Sequence, residues 1–320
     1  MLNRRVLRVR VLQYLYSYYS LIKFSDKPEQ LKPDFIRNLC ISLKEINKYY
    51  YKVLSLPIIL SDINAEKKEI AKSEKIKKSP SRFNFSENVV IDFLRRNKKL
   101  IDNLNHFKID WNAKTPEIRN WYNFVLDNEI TKDYSLLNNP KFKDDFEYLK
   151  KLINKILFKN EDINQFFENE NIHWYDDRII IRSMIKKTIE SLNSSNFNTF
   201  AFANLSENIK DDINFASSLF ESIIDNTSEY DEYIIKNSKN WKIDRISLMD
   251  KSILRMGIGE LINFSNIPIK VTMNECIDIA KNYSTPKSGL FINGVLDVIS
   301  LNLQKKGIIN KSGKGLIDNK

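Results

Sequence analysis

The first ten residues, MLNRRVLRVR, hold four arginines (Arg4, Arg5, Arg8, Arg10) and no acidic residue. A guanidinium stays charged at any physiological pH and grips phosphate with two parallel N–H bonds, so the chemistry on offer is capture of a polyanion. The other reactive side chains form no comparable set. His173 stands in HWYDD beside Asp176 and Asp177 without a second ligand at i,i+4, and reads as a helix start capped by acids. GIG at 257–259 lacks a third glycine, because Ile262 occupies that place, and reads as a helix crossing rather than a phosphate cradle. Cys40 and Cys276 have neither disulfide nor zinc spacing, and Cys276 has no basic neighbour in sequence, which marks a structural thiol. No catalytic residue, metal ligand or cofactor site is expected.

Helical periodicity must position the arginines. At 100° per residue Leu7, Val11, Leu15, Tyr18 and Ile22 form one stripe of a helix over about 3–23. Arg4 and Arg8 continue that stripe toward the N-terminus, whereas Arg10 lies on another face. Like charges at i,i+4 repel, and cations at a helix N-terminus oppose its dipole, so the pattern costs stability locally. Two readings follow: solvated arginines overhanging a core, or a phosphate-binding edge.

Composition narrows the rest. The chain has 320 residues, 42% of them hydrophobic, but only 7 glycines and 8 prolines, too few for the turns of a sandwich or a nucleotide-binding sheet. An all-α protein is expected. A net charge of +10 favours a polyanionic partner and says nothing about fold. The densest apolar run, LSLPIIL at 54–60, is far short of a membrane span, and Arg8, Arg10 and Gln13 interrupt any signal-peptide core, so a cytoplasmic chain with no membrane partner is expected.

Between 25 and 205 the spacing predicts helices at about 31–55, 58–78, 87–105, 116–130, 140–158, 161–169 and 175–193, with linkers at SPSRFNFS (79–86) and NSSNFN (193–198). Beyond 207, SENIKDDINFASSLFESIIDN carries a packing helix, and DRISLMDKSILRMGIGELI opens on Asp244 as N-cap with Ile246, Met249, Ile253 and Met256 inward. Thr272 and Glu275 predict a capping box, with Pro268 barring an earlier start. A last helix over 290–303 places Phe291, Val295, Val298 and Ile299 inward, with Gly294 as a close-approach point. The glycine- and lysine-rich tail from 305 reads as disordered.

RRVLRVRVLQYLYSYY, DRISLMDKSILRMGIGEL, IPIKVTMNECIDIAK and FINGVLD together resemble, in the right order, the NusB family of bacterial transcription antitermination factors. The resemblance covers about residues 3–23 and 210–303. It implies a double helical bundle without catalysis that binds boxA RNA of ribosomal RNA transcripts together with the ribosomal protein NusE, as an adaptor to RNA polymerase. It puts Arg4, Arg5 and Arg8 in the family's N-terminal arginine motif, on the RNA surface. Gln13, Leu15 and Tyr16 match the first helix, and Tyr16 points away from the stripe, free to meet an unstacked base. Asn274 and Glu275 match an NE pair; Phe291, Asn293, Gly294 and Asp297 match the last signature. Leu290 replaces a lysine frequent in the family, and Lys287 is the substitute RNA contact.

The expected organisation is therefore a first core helix with a basic edge (1–24), a helical insertion of unassigned role (25–205), the rest of the core (206–304) and a tail (305–320). The rival reading is a helical interaction scaffold whose insertion is the main binding surface. An RNA methyltransferase carrying such a domain is disfavoured, since no nucleotide-binding glycines or catalytic cysteine motif follow the core.

Overall fold

A computed structural model describes residues 2–73, 84–112, 115–192, 200–238 and 246–316. Asp244, residues 79–83 and the 193–198 stretch lie outside them. The described residues form fourteen α-helices and no strand: α1 (Arg4–Leu21), α2 (Pro28–Ser73), α3 (Val89–Arg96), α4 (Lys98–His106), α5 (Thr115–Asp127), α6 (Glu129–Ser135), α7 (Phe142–Lys151), α8 (Glu161–Glu170), α9 (Trp174–Glu190), α10 (Ile209–Asp225), α11 (Thr227–Asn237), α12 (Leu248–Asn263), α13 (Ile269–Tyr283) and α14 (Ser288–Lys305). The chain is all-α. None of these helices is long and apolar enough to cross a membrane.

Two compact units divide it, one of Lys44–Leu205, the other of Leu2–Leu43 with Ser206–Lys320. In the first unit the helices depart from the periodicity in instructive places. The predicted break at Pro57 does not occur: α2 runs through it, although an interior proline forfeits a backbone bond at roughly 3 kcal/mol. Leu54, Leu56, Ile58 and Leu60 around it are buried, and that packing outweighs the penalty. The predicted 87–105 helix is instead cut at Asn97, which ends α3 and caps α4 by accepting from the Leu100 N–H. Asparagine competes for backbone in this way at helix ends. The unit's core is aromatic: Trp174 stacks on Phe167 at 4.4 Å, and Lys52 reaches among Trp111, Phe166 and Phe167 while pairing with Glu170.

The second unit is organised around α12, against which α1, α10, α11, α13 and α14 all pack. Every residue from Ser252 to Leu261 is buried. A helix apolar or paired all round is a central helix. Its two charged side chains in that run are matched: Arg255 donates Nε and Nη2 to Asp231 at 2.7 Å each and lies over the Tyr19 ring, and Glu260 receives Arg8. The two glycines of GIG are crossing points, each facing a different neighbour. A Cβ on Gly257 would stand 2.9 Å from Leu296 Cδ1 and 3.1 Å from Cys276 Sγ, and one on Gly259 2.9 Å from Ile223 Cγ1.

Gly294, expected as a close approach, has nothing within 4 Å of a built Cβ; it lies on the outer face of α14, and Val298 is exposed there too. The buried stripe is Ile292, Val295, Leu296, Ile299 and Leu303. The two glycines therefore predict opposite outcomes. Gly257→Val is expected to lose ~1–3 kcal/mol by overpacking against Leu296 and Cys276, while Gly294→Ala gains ~0.5–1 kcal/mol of helix stability. Urea unfolding followed by circular dichroism reads both.

The chain beyond α14 is packed, not loose, as far as Ser312. Ile309 is buried, and Lys311 Nζ donates to the Leu261 and Phe264 carbonyls at 3.0 Å each, where the C-terminus of α12 needs donors. Burial of that ammonium lowers its pKa.

Candidate nucleic-acid interface

The α1 stripe falls as its spacing requires: Leu7, Val11, Leu15 and Tyr18 are buried, with Ile22 half-buried at the end. No acid stabilises its first turn, so Asn3 does the capping, its side chain accepting from the Val6 N–H at 3.0 Å. The four arginines then part company.

Arg8 is 2% exposed. It donates Nε and Nη2 to Glu260 at 2.6 and 2.8 Å, and its Nη1 lies 3.6 Å from Glu275. Burial alone would lower its pKa, but the Glu260 carboxylate more than compensates and the net shift is upward. Thr272 completes the cluster by donating its hydroxyl to Glu260 at 2.6 Å. The expected capping box is thus absent. Pro268 is itself the N-cap residue of α13, so the helix starts at Ile269 and carries Thr272 and Glu275 inside it, Thr272 donating to Glu260 and Glu275 receiving Arg5 rather than either capping its own backbone. Proline costs nothing at a helix start, where its missing N–H would have no intrahelical partner.

Arg5 is exposed and clamped. Its Nε and Nη2 donate to Glu275 at 3.0 Å each, and Nη2 also reaches Asp278 at 2.8 Å. The bond from Arg5 holds the Asp278 carboxyl below its ordinary range, so the clamp's contribution is complete above the unfolded carboxylate pKa and fades as pH falls through the lowered one. Arg4 stacks its guanidinium 4.0 Å over the Phe215 ring and has no carboxylate partner among the described residues. Arg10, on its other face, is also buried.

Beside Arg4 and Arg5 opens a cavity of about 640 Å³, walled by α1 and by Asn266, Pro268, Val271 and Glu275. Arg8 reaches this cavity only as part of its wall. It is therefore corrected from a phosphate ligand to a positioning residue: a guanidinium spent on a buried carboxylate cannot also present its fork to solvent. Tyr16 and Lys287 are exposed but line no part of the cavity; Tyr16 is three turns farther along α1, and Lys287 precedes α14. Phe215, Pro268 and Val271 escaped the sequence reading, since nothing local links them to the arginines. Cys276 is fully buried, and burial pushes its thiol pKa up, as a structural cysteine requires.

The family model described as NusB family matches residues 179–300, from within α9 to within α14. Curated relatives match as well: one from Salinibacter ruber is 50% identical over 103 residues. The chain carries a NusB-family region over residues 179–300. That relative is matched over 32% of this chain and 64% of its own length. One from Chloroherpeton thalassium is 40% identical over 104 residues, 32% of this chain and 49% of the relative. One from Natranaerobius thermophilus is 49% identical over 80 residues, 25% of this chain and 58% of the relative. All three are named transcription antitermination protein NusB, and the chain spans between about half and under two thirds of their length. The NusB-family match includes Glu260, Thr272 and Glu275, the residues that hold Arg5 and Arg8.

Proposed function

We propose that this chain is a transcription antitermination factor without catalytic activity, which binds boxA-type single-stranded RNA of ribosomal RNA operons together with NusE and links them to the RNA polymerase antitermination complex in the cytoplasm. The observation that carries the reading is the ledge at the start of α1. Arg4 lies over the Phe215 ring with no carboxylate partner among the described residues, and Arg5 is aimed by two carboxylates while its Nη1 makes none of those bonds. Guanidiniums fixed this way meet phosphate with little ordering cost, and the adjoining cavity gives a splayed base somewhere to go. The relatives' printed name supports the transcriptional role.

The protein partner is assigned to the outer face of α14. Leu290, Val298 and Leu301 are exposed there at helical spacing, with Gly294 leaving room for close approach. A stripe of this kind is what a partner's apolar side chains cover.

The test is a fluorescence titration of the full chain with a boxA RNA and a scrambled RNA of equal length, each with and without NusE. A preference for boxA of tenfold or more, increased by NusE, is expected. Equal affinities that NusE leaves unmoved would overturn the proposal.

A further inference from the structure

The Lys44–Leu205 unit carries a second strongly basic feature. A groove of about 540 Å³ runs between the end of α7 and the outer face of α9, lined by Lys150, Lys151, Lys155, Arg182 and Lys186 against one carboxylate, Glu147. Lys150, Lys151 and Lys155 have no acidic partner among the described residues. Lys186 has only a 3.9 Å contact with Glu190 at the surface. Cations near a helix C-terminus complement its dipole, and that accounts for Lys150 and Lys151 in the last turn of α7. It does not account for Arg182, which sits two turns before the end of α9.

Arg182 is built into place. After α7 the chain widens into a π-helical turn, Leu152–Ile156, and Asn154 in that turn accepts from Arg182 twice, through its side chain from Nε and through its carbonyl from Nη2, each at 3.2 Å. Two neutral acceptors fix the guanidinium without neutralising it. π-Helical turns interrupt α-helices mostly where a site is being shaped. The same turn carries Lys155 into the groove wall.

Along α9 the groove continues into an apolar and aromatic strip. Ile179 lines it and is 70% exposed; one turn earlier Tyr175 is 65% exposed, with Arg178 stacked 4.9 Å from its ring. Basic side chains along a groove followed by an exposed ring are the two requirements for holding single-stranded nucleic acid: cations track the phosphates, and the ring stacks a base. An acidic peptide would use the cations and leave the ring idle.

We propose that this groove binds single-stranded RNA through its phosphodiester backbone, with Tyr175 as a stacking platform, independently of sequence. It is a separate site from the arginine ledge of α1, and either can fail without the other. The probe is a labelled 20-nucleotide oligouridylate titrated into the full chain carrying Arg4→Glu and Arg5→Gln, so that the ledge is silent. Binding is expected to persist, with affinity falling as salt rises. Lys151→Gln, Lys155→Gln and Lys186→Gln together should weaken it tenfold or more and make the log–log salt slope shallower by about 2, near 0.7 per lost phosphate contact. Tyr175→Ala alone should weaken it several-fold with the slope unchanged. These side chains are exposed, so melting curves of the variants should overlay the parent. The proposal is overturned by no oligouridylate binding in the ledge-silent chain, by an affinity and slope that the lysine changes do not move, or by polyglutamate competing equally well while Tyr175→Ala has no effect. The last outcome would assign the groove to an acidic protein.

Discussion

Glu260→Ala is expected to destabilise the unit that contains it by about 3–5 kcal/mol, the cost of breaking a buried ion pair by removing one partner. Glu260 is 1% exposed and receives three short bonds, two from Arg8 and one from Thr272. Without it, Arg8 is left inside the bundle with only Glu275 at 3.6 Å, a carboxylate already bonded to Arg5. At ~2–4 °C per kcal/mol for a unit of this size, its calorimetric transition should drop by roughly 10 °C or more. Exchanging both partners, Arg8→Met with Glu260→Leu, should recover most of the loss, because paired apolar side chains avoid the desolvation that the ion pair must offset. A loss below about 1 kcal/mol in Glu260→Ala would mean the pair is not buried as described.

Arg4→Glu combined with Arg5→Gln is expected to lower boxA RNA affinity on the order of 100-fold near physiological salt. Each replaced charge-assisted phosphate bond contributes ~1.5–3 kcal/mol before sharing with local partners. The salt slope should become shallower by about 1.4, at 0.7 for each of two contacts on a single strand. Arg4→Glu alone should account for the larger part, because Arg5 divides its donors between Glu275 and Asp278 while Arg4 spends its charge only on the Phe215 ring. Glutamine is chosen at position 5 because a third carboxylate beside those two would confound binding with repulsion. Stability should change by less than ~1 kcal/mol, since both side chains are exposed. Arg8→Ala is the wrong test of RNA contact, since it would abolish binding by unfolding the site. Electrophoretic shifts across a salt series decide the matter; an unchanged slope in the double variant would remove the ledge from the RNA surface.

Much was legible before the structure. Scarce glycine and proline pointed to helices, and the spacing of Leu7, Val11, Leu15 and Tyr18 identified the buried face of α1 without reference to anything outside it. GIG reads as a helix crossing because Ile262 stands where a third glycine would, and both glycines are contact points. The errors share a cause. Thr272 and Glu275 match a local capping pattern, but the local backbone N–H donors lost to partners remote in sequence, Arg5 and Arg8 for Glu275 and Glu260 for Thr272. Pro57 signals a break by its own chemistry, yet the apolar residues flanking it bury on both sides and carry the helix through. Gly294 carries no mark distinguishing it from Gly257; what differs is what stands opposite, and for Gly294 nothing among the described residues lies within 4 Å of an added Cβ.

By itself the sequence determined that the chain is helical, that α1 has one apolar face, and that its first turns bear more positive charge than a stable helix start would choose. Those follow from properties each residue brings with it: propensity, period and charge. Which arginine meets solvent and which meets a carboxylate was decided only in three dimensions. Arg8 and Glu260 are 252 positions apart, and Arg5 and Glu275 are 270 apart. Periodicity states the direction a side chain takes from its helix; whether that direction leads to water, an aromatic ring or a buried acid depends on the helix packed opposite, and for the α1 arginines α12 and α13 supply those acids.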